Sequence, residues 1–153
     1  MIEKRCNYRG KEYSCKVKKD MVSIYSHNEE EGFLPCKDLL GNVIKGCFFK
    51  KVKINDVEEI YNLRYMAVYD KREFEILSLN INAIKKHKLT IVTQNEILAR
   101  ELGLEKREQF VFCKDIDITE ETKIICYIEY ANKEKGIDRQ EILLKDLQNK
   151  FRK

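Results

Sequence analysis

The chain has no apolar run approaching the roughly 20 residues needed to cross a bilayer. Its opening, Met1-Ile2-Glu3-Lys4-Arg5, leads into a mixed segment and not into the apolar stretch of a secretory leader. Both lacks lead us to expect a cytoplasmic protein with no membrane partner. There are only 2 histidines, and no cysteines stand at C-x-x-C spacing, so the usual zinc patterns are missing. G-x-S-x-G, H-E-x-x-H and a phosphate-cradling glycine loop are missing too. His27 and His87 have no carboxylate and nucleophile beside them in a recognisable motif, and both read as surface residues. The expectation is no enzyme, no cofactor and no metal.

A strong charge of one sign is also lacking. The 30 basic and 26 acidic residues leave +4. Residues 1–61 hold 12 basic and 10 acidic, residues 62–122 hold 10 and 11, and residues 123–153 hold 8 and 5. None of these segments has the basic bias of a dedicated nucleic-acid binder. Clusters at Lys50, Lys51, Lys53 and at Lys85 through Lys88 keep an RNA surface conceivable, but no RNP, KH or helix-turn-helix pattern accompanies them. With charge of both signs interspersed and 43% hydrophobic residues, the chain has the composition of a folded domain. The cysteines (Cys6, Cys15, Cys36, Cys47, Cys113 and Cys126) are expected as reduced, buried thiols acting as small hydrophobes.

What is present is repetition. Tyr8-Arg9-Gly10-Lys11-Glu12, Tyr69-Asp70-Lys71-Arg72-Glu73 and Tyr130-Ala131-Asn132-Lys133-Glu134 all read Tyr-x-x-(Lys/Arg)-Glu, at equal intervals. Further matches keep the same order. Ser26-His27-Asn28-Glu29 answers Thr93-Gln94-Asn95-Glu96, Gly32-Phe33 answers Gly103-Leu104, and Val52 through Asp56 answers Ile116 through Glu120. Tyr13, Cys15 and Val17 alternate with polar neighbours, the period of a half-buried strand. Cys6 aligns with Ala67 and Ile128, and Cys15 with Ile76, all at core-like positions. The turn after Tyr8 contains Gly10, whereas the turn after Tyr69 has no glycine.

The spacing predicts a short helix near 94–102. Thr93 and Glu96 would form its capping box, Val92 and Ile97 a hydrophobic staple, and Gly103 its end. Ser26 and Glu29 would cap a single helical turn in the first copy. A second helix is expected from Asp138 and Glu141 as a capping box, Ile137 and Ile142 as a staple, and an apolar stripe of Leu143, Leu144, Leu147 and Phe151. It would cover an open sheet edge or, alternatively, bind a partner. The fold class expected is β-rich α+β: two fused small antiparallel β units, SH3-like or partly open barrels, with a short helix and a C-terminal capping helix. The segments would be a first repeat over 1–61, a second over 62–122, and a truncated third repeat with the helix over 123–153.

This order of strand, Tyr-x-x-(Lys/Arg)-Glu, strand and Asn-Glu helix ending in Glu-Leu-Gly-Leu resembles small tandem-repeat immunity proteins of Gram-positive polymorphic toxin systems. Lys88–Thr93 and Asn95–Leu104 carry most of the resemblance, which runs loosely over residues 8–130. The resemblance implies a binding protein whose partner is a cognate toxin domain, neutralised by occlusion of its active site. A basic inhibitor would then face an acidic toxin surface. Partner contacts are expected where the copies differ: Glu29, Glu30 and Glu31; Lys85, Lys86, His87 and Lys88; and Gln94, Asn95 and Arg100. The alternatives are a nucleic-acid-binding regulator and a structural adaptor of a mobile element. Oligomeric state is left open.

Overall fold

The computed structural model describes residues 2–77 and 81–142. The chain is β-rich α+β with antiparallel pairing, in two compact units. The first comprises Glu3–Leu63 and Ile128–Ile137; the second comprises Arg64–Tyr127 with Ile2 and, among the described residues, 138–142.

In the first unit, β1 (Ile2–Tyr8), β2 (Lys11–Lys18), β3 (Met21–Ser26), β4 (Leu34–Lys37) and β5 (Val43–Lys53) lead through a 3-10 turn at Ile54–Asp56 into β6 (Glu59–Tyr69). Strand order is β4-β5-β3-β2-β1. Alternation along β2 and β3 sends Tyr13, Cys15, Val22 and Ile24 inward to join Cys6, Tyr8 and Val52 in one buried cluster. Phe33, Ile54, Val57 and Ile60 pack against it.

The second unit takes up β6 and adds β7 (Arg72–Ile76), α1 (Ile81–Lys85), β8 (Lys88–Thr93), α2 (Glu96–Leu102), β9 (Glu105–Glu108), β10 (Val111–Asp117), β11 (Ile124–Tyr130) and β12 (Ile137–Ile142). Its strand order is β6-β7-β8-β10-β9, with β11 pairing β6 and β12. Ala67, Phe74, Ile76, Leu89, Ile91, Phe112, Ile116 and Ile124 are buried.

The registers of the two units coincide position by position. Tyr8 pairs Lys11 and Cys6 pairs Tyr13; Tyr69 pairs Arg72 and Ala67 pairs Phe74. Cys15 pairs Ile24, which pairs Lys50; Ile76 pairs Ile91, which pairs Lys114. Leu34 pairs Phe49, and Glu105 pairs Cys113. Both hairpin turns after the tyrosine are of the I′ kind, with Arg9 and Gly10 at φ 49° and 77°, and Asp70 and Lys71 at 49° and 62°. The turn lacking glycine therefore adopts the same shape as the one that has it. The amide of Ile54 donates to Asp20 O (2.8 Å), and that of Ile118 donates to His87 O (2.6 Å).

Several sequence expectations are corrected. Helix α2 is capped by Asn95, whose side chain accepts from Leu98 N at 3.1 Å. Thr93 ends β8 instead, and its hydroxyl accepts from Asn95 N. Ile97 is 73% exposed, so no staple forms. Gly103 does close the helix, in the left-handed conformation. Ser26 accepts from Asn28 N in a tight turn, and no helix follows. Ile137–Ile142, read as a helix start, is a strand paired with β11, since a neighbouring strand satisfies backbone groups that a local capping pattern cannot. The apolar stripe from Leu143 to Phe151 lies outside the described residues. The loop after Tyr130 is longer than a two-residue turn, with Tyr130 N donating to Gly136 O, so this corner differs from those at Tyr8 and Tyr69. Cys36 and Cys47 are joined in a disulfide between β4 and β5 rather than reduced, their Cα atoms 5.3 Å apart. Cys6, Cys15, Cys113 and Cys126 are buried thiols.

Candidate functional site

Each unit places a lysine over the tyrosine of its first hairpin. Lys50 on β5 puts Nζ 5.4 Å from the Tyr8 ring centroid, and Lys114 on β10 puts Nζ 5.4 Å from that of Tyr69. A glycine lies beside each ammonium. A Cβ on Gly32 would stand 3.4 Å from Lys50 Nζ, and one on Gly103 would stand 3.5 Å from Lys114 Nζ. Lys114 also donates to Leu102 O (3.3 Å), a carbonyl of the last turn of α2 where a cation is favoured.

The surroundings of the two pairs differ. Tyr8 is buried, whereas Tyr69 is half-buried and lines a cleft of about 370 Å³. Asp70, Asp115, Asp117 and Glu121 line this cleft together with Lys114. Asp70 comes from the I′ turn, Asp115 and Asp117 from one face of β10, and Glu121 from the turn beyond it. That turn is locked by its threonines. Thr119 N donates to Thr122 Oγ1 (2.9 Å), Glu121 N to Thr119 Oγ1 (3.2 Å) and Thr122 Oγ1 to Asp117 O (3.2 Å). Asp115 accepts from Thr90 Oγ1 at 2.5 Å and lies 3.6 Å from Arg107. This cleft offers an aromatic wall and negative charge, which suits an ammonium or guanidinium group.

The residues expected from the sequence are divided between the two units. Glu29, Glu30 and Glu31 belong to the first unit, and the others belong to the second. Glu30 is a clamp: it accepts from Lys11 Nζ and Tyr13 OH, each at 2.9 Å. Hydrogen bonds from Ser26 and Lys11 hold its carboxyl down at about 2, so it stays ionised at neutral pH. Lys85, Lys86, His87 and Lys88 run from the end of α1 to the start of β8 and are exposed. Gln94 and Asn95 follow its far end, roughly 17 Å away at about 3.3 Å per residue. Asn95 is spent as the cap of α2, and Arg100 pairs with Glu96 at 2.7 Å. Gln94 lines a separate cleft of about 480 Å³ with Met66, Phe74, Val92 and Leu98.

The glutamate of the hairpin motif has a role the sequence did not reveal. In the first unit the buried Tyr61 donates to Glu12, and Arg5 bridges Glu12 (3.1 Å) and Glu3 (2.9 Å). Burial and the Glu12 contact push the Tyr61 phenol up from its ordinary value. In the second unit Tyr127 contacts Glu73, which also lies 3.4 Å from Arg139. Arg64 stacks on Tyr127 at 5.1 Å. The acid cleft was missed as well, although its signal was present: Asp115 and Asp117 alternate on one strand face just before an acidic turn.

No curated protein and no solved structure matches the chain. A family model does match, over residues 3–134, which takes in β6 through β11, the paired hairpin motifs and the whole Tyr69 cleft. The chain therefore belongs to the family described as uncharacterised conserved protein UCP033725.

Proposed function

We propose that the chain is a non-catalytic protein-binding domain of the immunity-protein type, which neutralises a cognate toxin domain by lying across its active site. The observation that carries this reading is the cleft beside Tyr69. Its lining acids Asp70, Asp117 and Glu121 and its aromatic wall are the kinds of group that hold an inserted arginine or lysine, and its ring already carries the Lys114 ammonium. The partner surface opposite it is accordingly basic. Net charge pointed to an acidic partner, but at contact distance the local groups set the field. The same reading takes the two units as copies of one ancestral segment, each a partly open SH3-like barrel. The coinciding registers and the two I′ turns support this.

The test is to look for a toxin domain encoded beside this gene and to measure binding to it. The expected complex is nanomolar, about −12 kcal/mol, and co-expression abolishes toxicity. Asp117→Asn combined with Glu121→Gln weakens binding by roughly tenfold, mainly where salt is low. A chain that leaves the neighbouring toxin active, yet binds RNA with an affinity falling linearly in log salt, overturns the reading in favour of a nucleic-acid regulator.

A further inference from the structure

The hairpin of β4 and β5 carries an extension that its counterpart lacks. β9 and β10 are joined by two residues, Gln109 and Phe110, whereas β4 and β5 are joined by 38–42, and β5 runs 11 residues against 7 for β10. The second unit closes without such an extension, so the fold itself does not require it. At its tip Leu39 is fully exposed, Leu40 is 87% exposed and Val43 is 64% exposed, with Ile44 beside them. Aliphatic side chains gain nothing in water, and a contiguous exposed set marks a contact surface.

The tip is organised to leave water. The Asp38 carboxylate accepts from Leu40 N and Asn42 N, each at 2.9 Å. Gly41 N donates to Asp38 O (3.0 Å) and Asp38 N to Asn42 O (2.9 Å). These four amides thus keep their hydrogen bonds when the tip leaves bulk water, which lowers one cost of burying a loop. The Cys36–Cys47 disulfide ties the two strands behind the tip, so little ordering is left to occur on contact.

We infer that this tip inserts into the surface of an anionic lipid bilayer. Charge selects that occupant. Around the tip, Lys37 and Lys45 stand against Asp38 alone, and that aspartate is turned onto the tip's own amides. Lys37 and Lys45 are exposed on either side of the aliphatic tip, where they reach lipid phosphates as the leucines enter the acyl boundary. A protein pocket would be entered by aromatic or arginine anchors, and the tip has none. The contact is interfacial: among the described residues no helix is long and apolar enough to cross a membrane. It differs from the sequence expectation of no membrane partner, which rested on the missing span and leader, and it does not depend on the toxin reading.

The experiment is co-sedimentation of the full chain with vesicles of phosphatidylcholine alone and of phosphatidylcholine with phosphatidylglycerol in equal amounts. Binding is expected to the anionic vesicles only. Leu39→Asp with Leu40→Asp should reduce partitioning at least about tenfold. Lys37→Gln with Lys45→Gln should reduce it severalfold and remove most of its salt dependence. Unfolding midpoints of these variants, altered only at exposed sites, should match the parent. Failure to bind anionic vesicles overturns the inference, and so does binding indifferent to the leucine pair. Loss of toxin binding in the leucine variant, with no vesicle binding by the parent, would assign the tip to a protein partner and overturn it as well.

Discussion

The hydroxyl of Tyr127 lies 2.9 and 2.8 Å from the two carboxylate oxygens of Glu73, joining the strand that closes the second unit to the glutamate of its hairpin motif. Tyr61 and Glu12 make the same link in the first unit. Tyr127→Phe is expected to cost about 1 kcal/mol, and Tyr61→Phe somewhat more because Tyr61 is buried and leaves Glu12 less satisfied. Urea unfolding of the single variants, and of each paired with Glu→Gln at its partner, measures this. Additive losses would mean that the links contribute nothing.

Acid should weaken the first unit through Glu30. Its carboxyl is held at about 2, below the ordinary 4.5, so the folded state favours the ionised form. The stability this supplies is complete above the ordinary value, declines as pH falls, and is gone below about 2. Glu30→Gln should flatten that part of the stability–pH curve and leave the neutral region parallel to the parent. An unchanged acid limb in the variant would contradict the clamp.

Lys71 sits at φ 62° in a turn where Gly10 occupies the matching place. A side chain in the left-handed region costs roughly 1 kcal/mol. Lys71→Gly should therefore raise stability by about 0.5–1 kcal/mol, and Gly10→Ala should lower it by a similar amount. Thermal unfolding of the two variants checks both signs.

Thiol titration separates the two classes of cysteine. The denatured, unreduced protein should show four thiols, those of Cys6, Cys15, Cys113 and Cys126, and the folded protein should show almost none because all four are buried. Contact with Cys15 and burial push the Cys6 thiol well up, which further slows its alkylation. Replacing Cys36 and Cys47 by serine should cost about 2–3 kcal/mol, the loop-closure value for a separation of 11 residues. Six reactive thiols in the denatured chain would rule out the cross-link.

Strand periodicity, the hairpin after each of the first two tyrosines, the glycine end of α2 and the inward positions of Cys6, Cys15, Ala67 and Ile76 were legible in the residues. Each depends on neighbours a few positions away or on alternation along one strand. The capping residue of α2 was misplaced by two positions, because Thr93 was claimed by a strand pairing that local spacing does not reveal. Asp138–Ile142 follows the same logic. Its capping pattern was real, but the open edge of β11 took the segment as a strand.

By itself, the order of residues determined a β-rich chain of alternating strands whose hairpin motif recurs, because side-chain alternation and turn chemistry are local properties. Only the tertiary structure decided that Tyr69, Lys114 and four acidic residues line one cleft, that Cys36 meets Cys47, and that Leu39 and Leu40 are left outside. Those outcomes follow from strand register and sheet order, which bring together residues tens of positions apart; local spacing showed at most the acidic side of the cleft.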